Sequence, residues 1–120
     1  MNTRLARPML LVALAAPMLL AAFSAQAHAH LVEAVPAENA SVASTRALQL
    51  QFSEKLEPKF SGLELTKAGG AAVPVVSKAA GKTIRATAKA ALAPGDYRVI
   101  WRVVSTDGHR MKGHYDFTVK

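Results

Sequence analysis

Tyr97-Arg98-Val99-Ile100-Trp101-Arg102-Val103-Val104 alternates large apolar residues with arginines. Tyr97, Val99, Trp101 and Val103 recur at period two, the spacing that lines one face of a β-strand. Arg98, Ile100, Arg102 and Val104 make the opposite face, which is apolar enough to leave cover on both sides open. The same alternation appears on either side. Leu48, Leu50 and Phe52 alternate with Gln49, Gln51 and Ser53. Leu63 and Leu65 alternate with Glu64 and Thr66, and Ile84, Ala86 and Ala88 alternate with Arg85, Thr87 and Lys89. Tyr115, Phe117 and Val119 close the chain in the same way. Leu31 to Val35 reads as a first strand. Val73 to Val76 reads as another, at a sheet edge because Pro74 cannot donate to a ladder.

Turn residues punctuate these runs at Pro36 to Asn39, Gly69-Gly70, Ala80-Gly81, Pro94-Gly95 and Asp107-Gly108. No stretch sustains a helical period. About seven short strands separated by turns predict an all-β, seven-stranded Greek-key β-sandwich, with Trp101 and Phe52 in its core.

Composition narrows the function. The chain has 120 residues, a formal charge of +7, 51% apolar residues and no cysteine. Disulfides, thiolate metal sites and thiol catalysis are excluded, and the apolar fraction excludes a disordered tail. Residues 1–27 read as a secretory signal peptide. Arg4 and Arg7 precede the apolar run Met9 to Phe23, and Ala25-Gln26-Ala27 is a small-x-small cleavage site. The run is shorter than the ~20 residues of a membrane span. Cleavage leaves residues 28–120 as one domain, begins the mature chain at His28, and lowers the charge to +5. The remaining cations are spread along the chain with one Trp and two Tyr, so the basic stripe of a nucleic-acid binder is missing.

No nucleophile motif or phosphate loop is present, but the histidines are placed unusually. His28 and His30 sit at the expected mature terminus, His109 follows Asp107-Gly108 in the turn after the long strand, and His114 is read as beginning the last strand. An N-terminal histidine offers both imidazole and α-amine. The amine has an ordinary pKa of about 7.7–8.0, so a metal can displace its proton near neutral pH. Two such nitrogens, a second imidazole and a carboxylate form a tetragonal nitrogen/oxygen set suited to Cu(II) or Ni(II), with Cu(II) favoured by intrinsic affinity. Zn(II) also accepts these ligands. Each feature has a plainer reading by itself: His-x-His as a terminal accident, Asp-Gly-His as an ordinary turn, His114 as an exposed strand residue.

The combination is recognisable. Tyr97 to His109 with Trp101, Val103, Ser105 and Asp107, then Gly113, Phe117 and Val119, resembles the CopC family of periplasmic copper-binding proteins. His28-Ala29-His30-Leu31-Val32 with Pro36, and Phe52-Ser53-Glu54, do so too. The resemblance implies an immunoglobulin/cupredoxin-like sandwich with a Cu(II) site at one end. It implies as metal ligands the amine and imidazole of His28, the imidazole of His109 and the carboxylate of Asp107, with Glu54 as a weaker candidate. It further implies a non-enzymatic copper carrier in copper homeostasis or resistance, and a membrane copper transporter as partner. Some family members bind Cu(I) through a Met-rich loop. Here Met1, Met9 and Met18 lie in the leader and Met111 stands alone, which cannot supply a multi-thioether site. One Cu(II) per mature chain is expected, in a monomer, with no nucleic acid and no small-molecule substrate.

Two alternatives belong to other classes. An N-terminal histidine chelate also resembles the centre of copper enzymes that cleave polysaccharides oxidatively, although Asp107 as a ligand would occupy part of the coordination sphere and no aromatic sugar platform is evident. A generic immunoglobulin-like interaction module would leave the histidines idle. Within the carrier reading, His30 at mature position three offers a rival site, in which the terminal peptide wraps Cu(II) through deprotonated backbone amides.

Overall fold

The computed structural model describes residues 28–120. The expected leader, residues 1–27, and the cleavage that removes it lie outside the described residues.

Among the described residues nine strands form: β1 (Leu31–Val35), β2 (Ser41–Val42), β3 (Ala47–Phe52), β4 (Gly62–Lys67), β5 (Ala72–Val73), β6 (Val75–Ala80), β7 (Thr83–Ala88), β8 (Gly95–Val104) and β9 (Arg110–Val119). Seven of them have five or more residues, and β2 and β5 have two each. One sheet has the order β1-β3-β7-β6, the other β2-β9-β8-β4-β5. Five of the seven long strands (β3, β4, β7, β8 and β9) fall on the alternating runs, β1 is the expected first strand, and the expected strand Val73 to Val76 divides between β5 and β6. Pro74 does more than mark an edge: it separates β5 from β6, which belong to different sheets and lie at the edge of each. A residue without an N–H suits the point where the chain leaves one ladder for another. Asn39 closes the Pro36 turn at φ 61°, a conformation Asn tolerates.

The sheets pack face to face. Leu48, Leu50 and Phe52 of β3 and Ile84 and Ala86 of β7 meet Leu65, Val99, Val103 and Phe117 of the other sheet. Phe52 packs edge-on against Trp101, with ring centroids 5.1 Å apart. Cover on both sides of β8 does not occur: Arg98 and Arg102 are exposed and Ile100 and Val104 half-buried, because no third layer lies over this sheet among the described residues. The last strand also starts earlier than expected. It runs from Arg110 and places His114 mid-strand opposite Ile100. Gly113 obscures that alternation in the sequence, and it is glycine because the Trp101 indole lies on it.

Tyr115 buries its hydroxyl without a hydrogen-bond partner among the described residues, and burial pushes its pKa up to about 12. An orphaned buried polar group costs roughly 1–3 kcal/mol. Tyr115→Phe is therefore expected to raise stability by about 1 kcal/mol in denaturant melts. A loss of stability would show that the hydroxyl is satisfied by solvent.

Candidate metal centre

β8 and β9 are joined by a turn anchored at its first residue. Ser105 is buried, bridges Leu56, and donates its N–H to the His109 carbonyl at 3.0 Å. Thr106 N–H donates to the Lys55 carbonyl at 3.0 Å. Gly108 N–H donates to the Ser105 carbonyl at 2.8 Å and Gly108 takes φ 90°. A side chain is strained at that φ, so the turn needs glycine immediately before His109.

Asp107 organises this turn. Its Oδ1 accepts from the Ser105 hydroxyl and from His109 N–H at 3.3 Å, while its Oδ2 lies 2.8 Å from His109 Nδ1. These contacts, the Ser105 hydroxyl first and the His109 ring second, lower the Asp107 pKa to about 2. The folded value lies below the ordinary carboxylate value of about 3.9. The associated stability is thus present above about pH 4 and lost as pH falls toward 2. In metal-free protein, NMR titration should place the Asp107 midpoint near 2, and Ser105→Ala should raise it. An ordinary midpoint would mean that the hydroxyl does not hold the carboxylate.

The N-terminal segment reaches the same place by a different route. Ala29 is only 1% exposed and belongs to the core. His30 donates its N–H to Ser53 Oγ at 2.8 Å and accepts Ser53 N–H at 2.9 Å. This clamp, continued by the pairing of Leu31 with Phe52, delivers His28 to the Asp107 turn. The His28 and His109 rings meet edge-to-face, centroids 4.7 Å apart and planes at 85°. His28 Nδ1 is buried with no partner among the described residues.

His28, His109 and Asp107 are therefore brought together. His30 is exposed and held through its backbone. Glu54 is exposed next to Ser53, and His114 lies along β9, away from the turn. Sequence reasoning missed Ala29, Ser53 and Ser105 as positioning residues. Small residues carry no periodic signal strong enough to mark them, and their roles exist only once distant strands pair.

The centre fits a metal in three respects. A metal–nitrogen bond of about 2.0–2.1 Å makes adjacent donors in a square plane roughly 2.8–2.9 Å apart, which is the separation of Asp107 Oδ2 and His109 Nδ1. The same bond length puts two adjacent imidazole centroids roughly 4.5 Å apart, close to that of His28 and His109. The orphaned His28 Nδ1 is the ring nitrogen that can close a chelate with its own α-amine. Among the described residues no group of three or more His, Cys, Asp or Glu side chains already stands at metal-ligand spacing; the contacts here are pairwise, His109 with His28 and His109 with Asp107.

Known proteins share this fold. Residues 31–120 match the CopC domain family. The chain is 44% identical to copper resistance protein C of Xanthomonas campestris pv. juglandis over 84% of its own length and 87% of the relative's. Its fold is similar to that of PcoC, described as a methionine-rich copper resistance protein from Escherichia coli. The TM-score is 0.73 at 39% identity, over 78% of this chain and all of that one. CopC from Methylosinus trichosporium OB3b matches with TM-score 0.73 at 34% identity, over 78% and 94% of the two chains. Family model, relatives and fold coincide over the residues that build the sandwich, and this protein belongs to the CopC family.

Proposed function

We propose that this protein is an exported, non-catalytic copper carrier whose cargo is one Cu(II) per mature chain, held at the His28–Asp107–His109 end of the sandwich. Export through a leader ending at Ala27 frees the His28 α-amine. The ligands are that amine and His28 Nδ1, one imidazole nitrogen of His109 and one carboxylate oxygen of Asp107. The observation that carries this reading is the contact of the His109 ring with both the His28 ring and the Asp107 carboxylate, with His28 Nδ1 buried and unpartnered among the described residues. In this arrangement copper takes the place of the proton shared by His109 Nδ1 and Asp107 Oδ2. A carboxylate held near pKa 2 is anionic at every working pH and does not compete with the metal for a proton.

The folded site is favoured over the terminal peptide. Wrapping Cu(II) through the amides of Ala29 and His30 would deprotonate the His30 N–H that donates to Ser53 and pull Ala29 from the core. Relatives named for copper resistance support a role in copper tolerance or delivery. The donor set is hard, and Met111 is the sole Met among residues 28–120, so Cu(I) binds weakly. A periplasmic location and exchange with a membrane copper transporter complete the reading.

A second role for Asp107 is supported by the same 2.8 Å contact read as a hydrogen bond: it fixes the His109 tautomer while Nε2 binds the ion. Asp107→Asn separates the two. Loss of an anionic ligand weakens binding as much as His109→Ala, whereas loss of an orienting partner costs only roughly tenfold.

The overall test is mass spectrometry of the exported protein with and without copper, followed by electron paramagnetic resonance. A chain starting at His28 with one copper and a tetragonal nitrogen/oxygen spectrum is expected. A chain that starts elsewhere, or reductant-driven turnover of polysaccharide, would overturn the proposal.

A further inference from the structure

The outward face of the five-stranded sheet is charged in a way that stability alone does not explain. Arg102 on β8 lies directly opposite Lys112 on β9, and Arg110 follows on the same face opposite Val104. Like charges placed directly across a ladder are destabilising. Relief is slight: Glu64 reaches Arg102 only at 3.8 Å, and both side chains are about two-thirds exposed. Among the described residues Arg110 and Lys112 have no salt bridge. The other end of the same two strands is paired properly, with Arg98 donating to both oxygens of Asp116 at 2.8 and 3.2 Å.

An exposed aromatic stands beside these cations. Phe60, at the end of a single 3₁₀ turn (Pro58–Phe60), is 68% exposed. Phe60, Arg102, Val104, Arg110, Met111 and Lys112 line a groove of about 440 Å³. The groove is preformed. Glu57 N–H donates to the Val104 carbonyl at 2.7 Å, and Val104 N–H donates to Ser61 Oγ at 3.0 Å, which fixes the turn that carries Phe60. It also adjoins the metal centre, since Arg110 follows His109 in the chain.

We propose that this groove docks an acidic protein surface that presents one apolar side chain. The partner's carboxylates meet Arg102, Arg110 and Lys112, and its apolar side chain enters beside Phe60 and Val104. Arginine forks suit carboxylates bidentately, and these cations, relieved only by the Glu64–Arg102 contact, give both charge complementarity and a faster encounter. A concave groove with one exposed aromatic fits a single inserted side chain better than a lipid surface, which is held by a broad apolar face. Docking here does not depend on the carrier reading. That the partner gives or takes copper does rest on it, and is suggested by the nearness of His109.

The test is photo-crosslinking in cells that naturally make the protein, with benzoylphenylalanine replacing Phe60 and, as control, Val76, which is 76% exposed on the opposite sheet. One crosslinked protein is expected at position 60 and not at 76, joined through a segment carrying two or more Asp or Glu. Arg110→Glu with Lys112→Glu should cut the yield roughly tenfold, and the milder pair Arg110→Gln with Lys112→Gln roughly threefold. Lys78→Glu with Lys89→Glu should leave it unchanged. Equal yields at the two positions, a crosslink to lipid or to a second copy, a joined segment without carboxylates, or indifference to the charge changes would each overturn the proposal. Circular dichroism and Cu(II) titration of the same variants report folding and the carrier reading separately, so failure of one is not mistaken for failure of the other.

Discussion

One methionine added in front of His28 is expected to weaken Cu(II) binding roughly a hundredfold, about 2.7 kcal/mol. The added peptide bond converts the α-amine, a strong nitrogen donor with a pKa of about 7.7–8.0, into an amide that does not bind copper without deprotonation. It also opens the chelate ring closed with His28 Nδ1, which is left as a lone buried donor. His109→Ala should cost a similar amount. Its ring is the second imidazole of the pair, 4.7 Å from His28. His30→Ala should change binding less than roughly threefold, because the ring is exposed and only the His30 backbone is engaged, by Ser53. Competition with a chelator of known affinity measures all three, and circular dichroism confirms the fold. Unchanged binding with the added Met would remove the amine from the site. A larger loss for His30→Ala than for His109→Ala would give the copper to the terminal peptide.

Gly113→Ala should destabilise the domain by about 3 kcal/mol, at the upper end of ordinary overpacking. That corresponds to a fall of roughly 12–24 °C in Tm for a domain of this size. A Cβ at position 113 would press on Cζ2 of Trp101 and lie 2.7 Å from Cε2. The indole cannot retreat: it is the residue directly opposite in the β8–β9 register and is packed against Phe52 on the far side. The clash therefore moves either a strand or the core. The double mutant makes the cause specific. Trp101→Leu alone leaves a cavity and costs about 2–4 kcal/mol. Once the indole is gone, adding Gly113→Ala should cost little more, giving a coupling of about 2 kcal/mol. Additive losses would mean that Gly113 acts through its own backbone and not through the indole.

The strands were legible because their signal is local. Alternation at Leu48 to Phe52, Leu63 to Thr66, Ile84 to Lys89 and Tyr97 to Val104 requires only neighbours in the chain, and each run became a strand. The exceptions have physical reasons. Arg110 to Gly113 hid the first half of β9, since a glycine contributes no side chain to the pattern although the indole of Trp101 depends on its absence. Val73 to Val76 read as one strand but belongs to two sheets, because which ladder a residue joins is decided by partners far along the chain.

The centre divides along the same line. Residue types and family resemblance named His28, Asp107 and His109 as candidates, and Gly108 before His109 made the turn recognisable. That the three meet depends on contacts no local pattern contains. Ala29 must enter the core, Ser53 must clamp the backbone of His30, and Ser105 must bury its hydroxyl against Asp107. The like-charged Arg102–Lys112 pair likewise exists only in the β8–β9 register. Composition and period by themselves determined a cysteine-free β-sandwich with nitrogen and oxygen donors to offer. The meeting of residues roughly 80 positions apart was decided by sheet pairing and burial, because a long-range contact forms only where many others have already met the entropy of closing the chain.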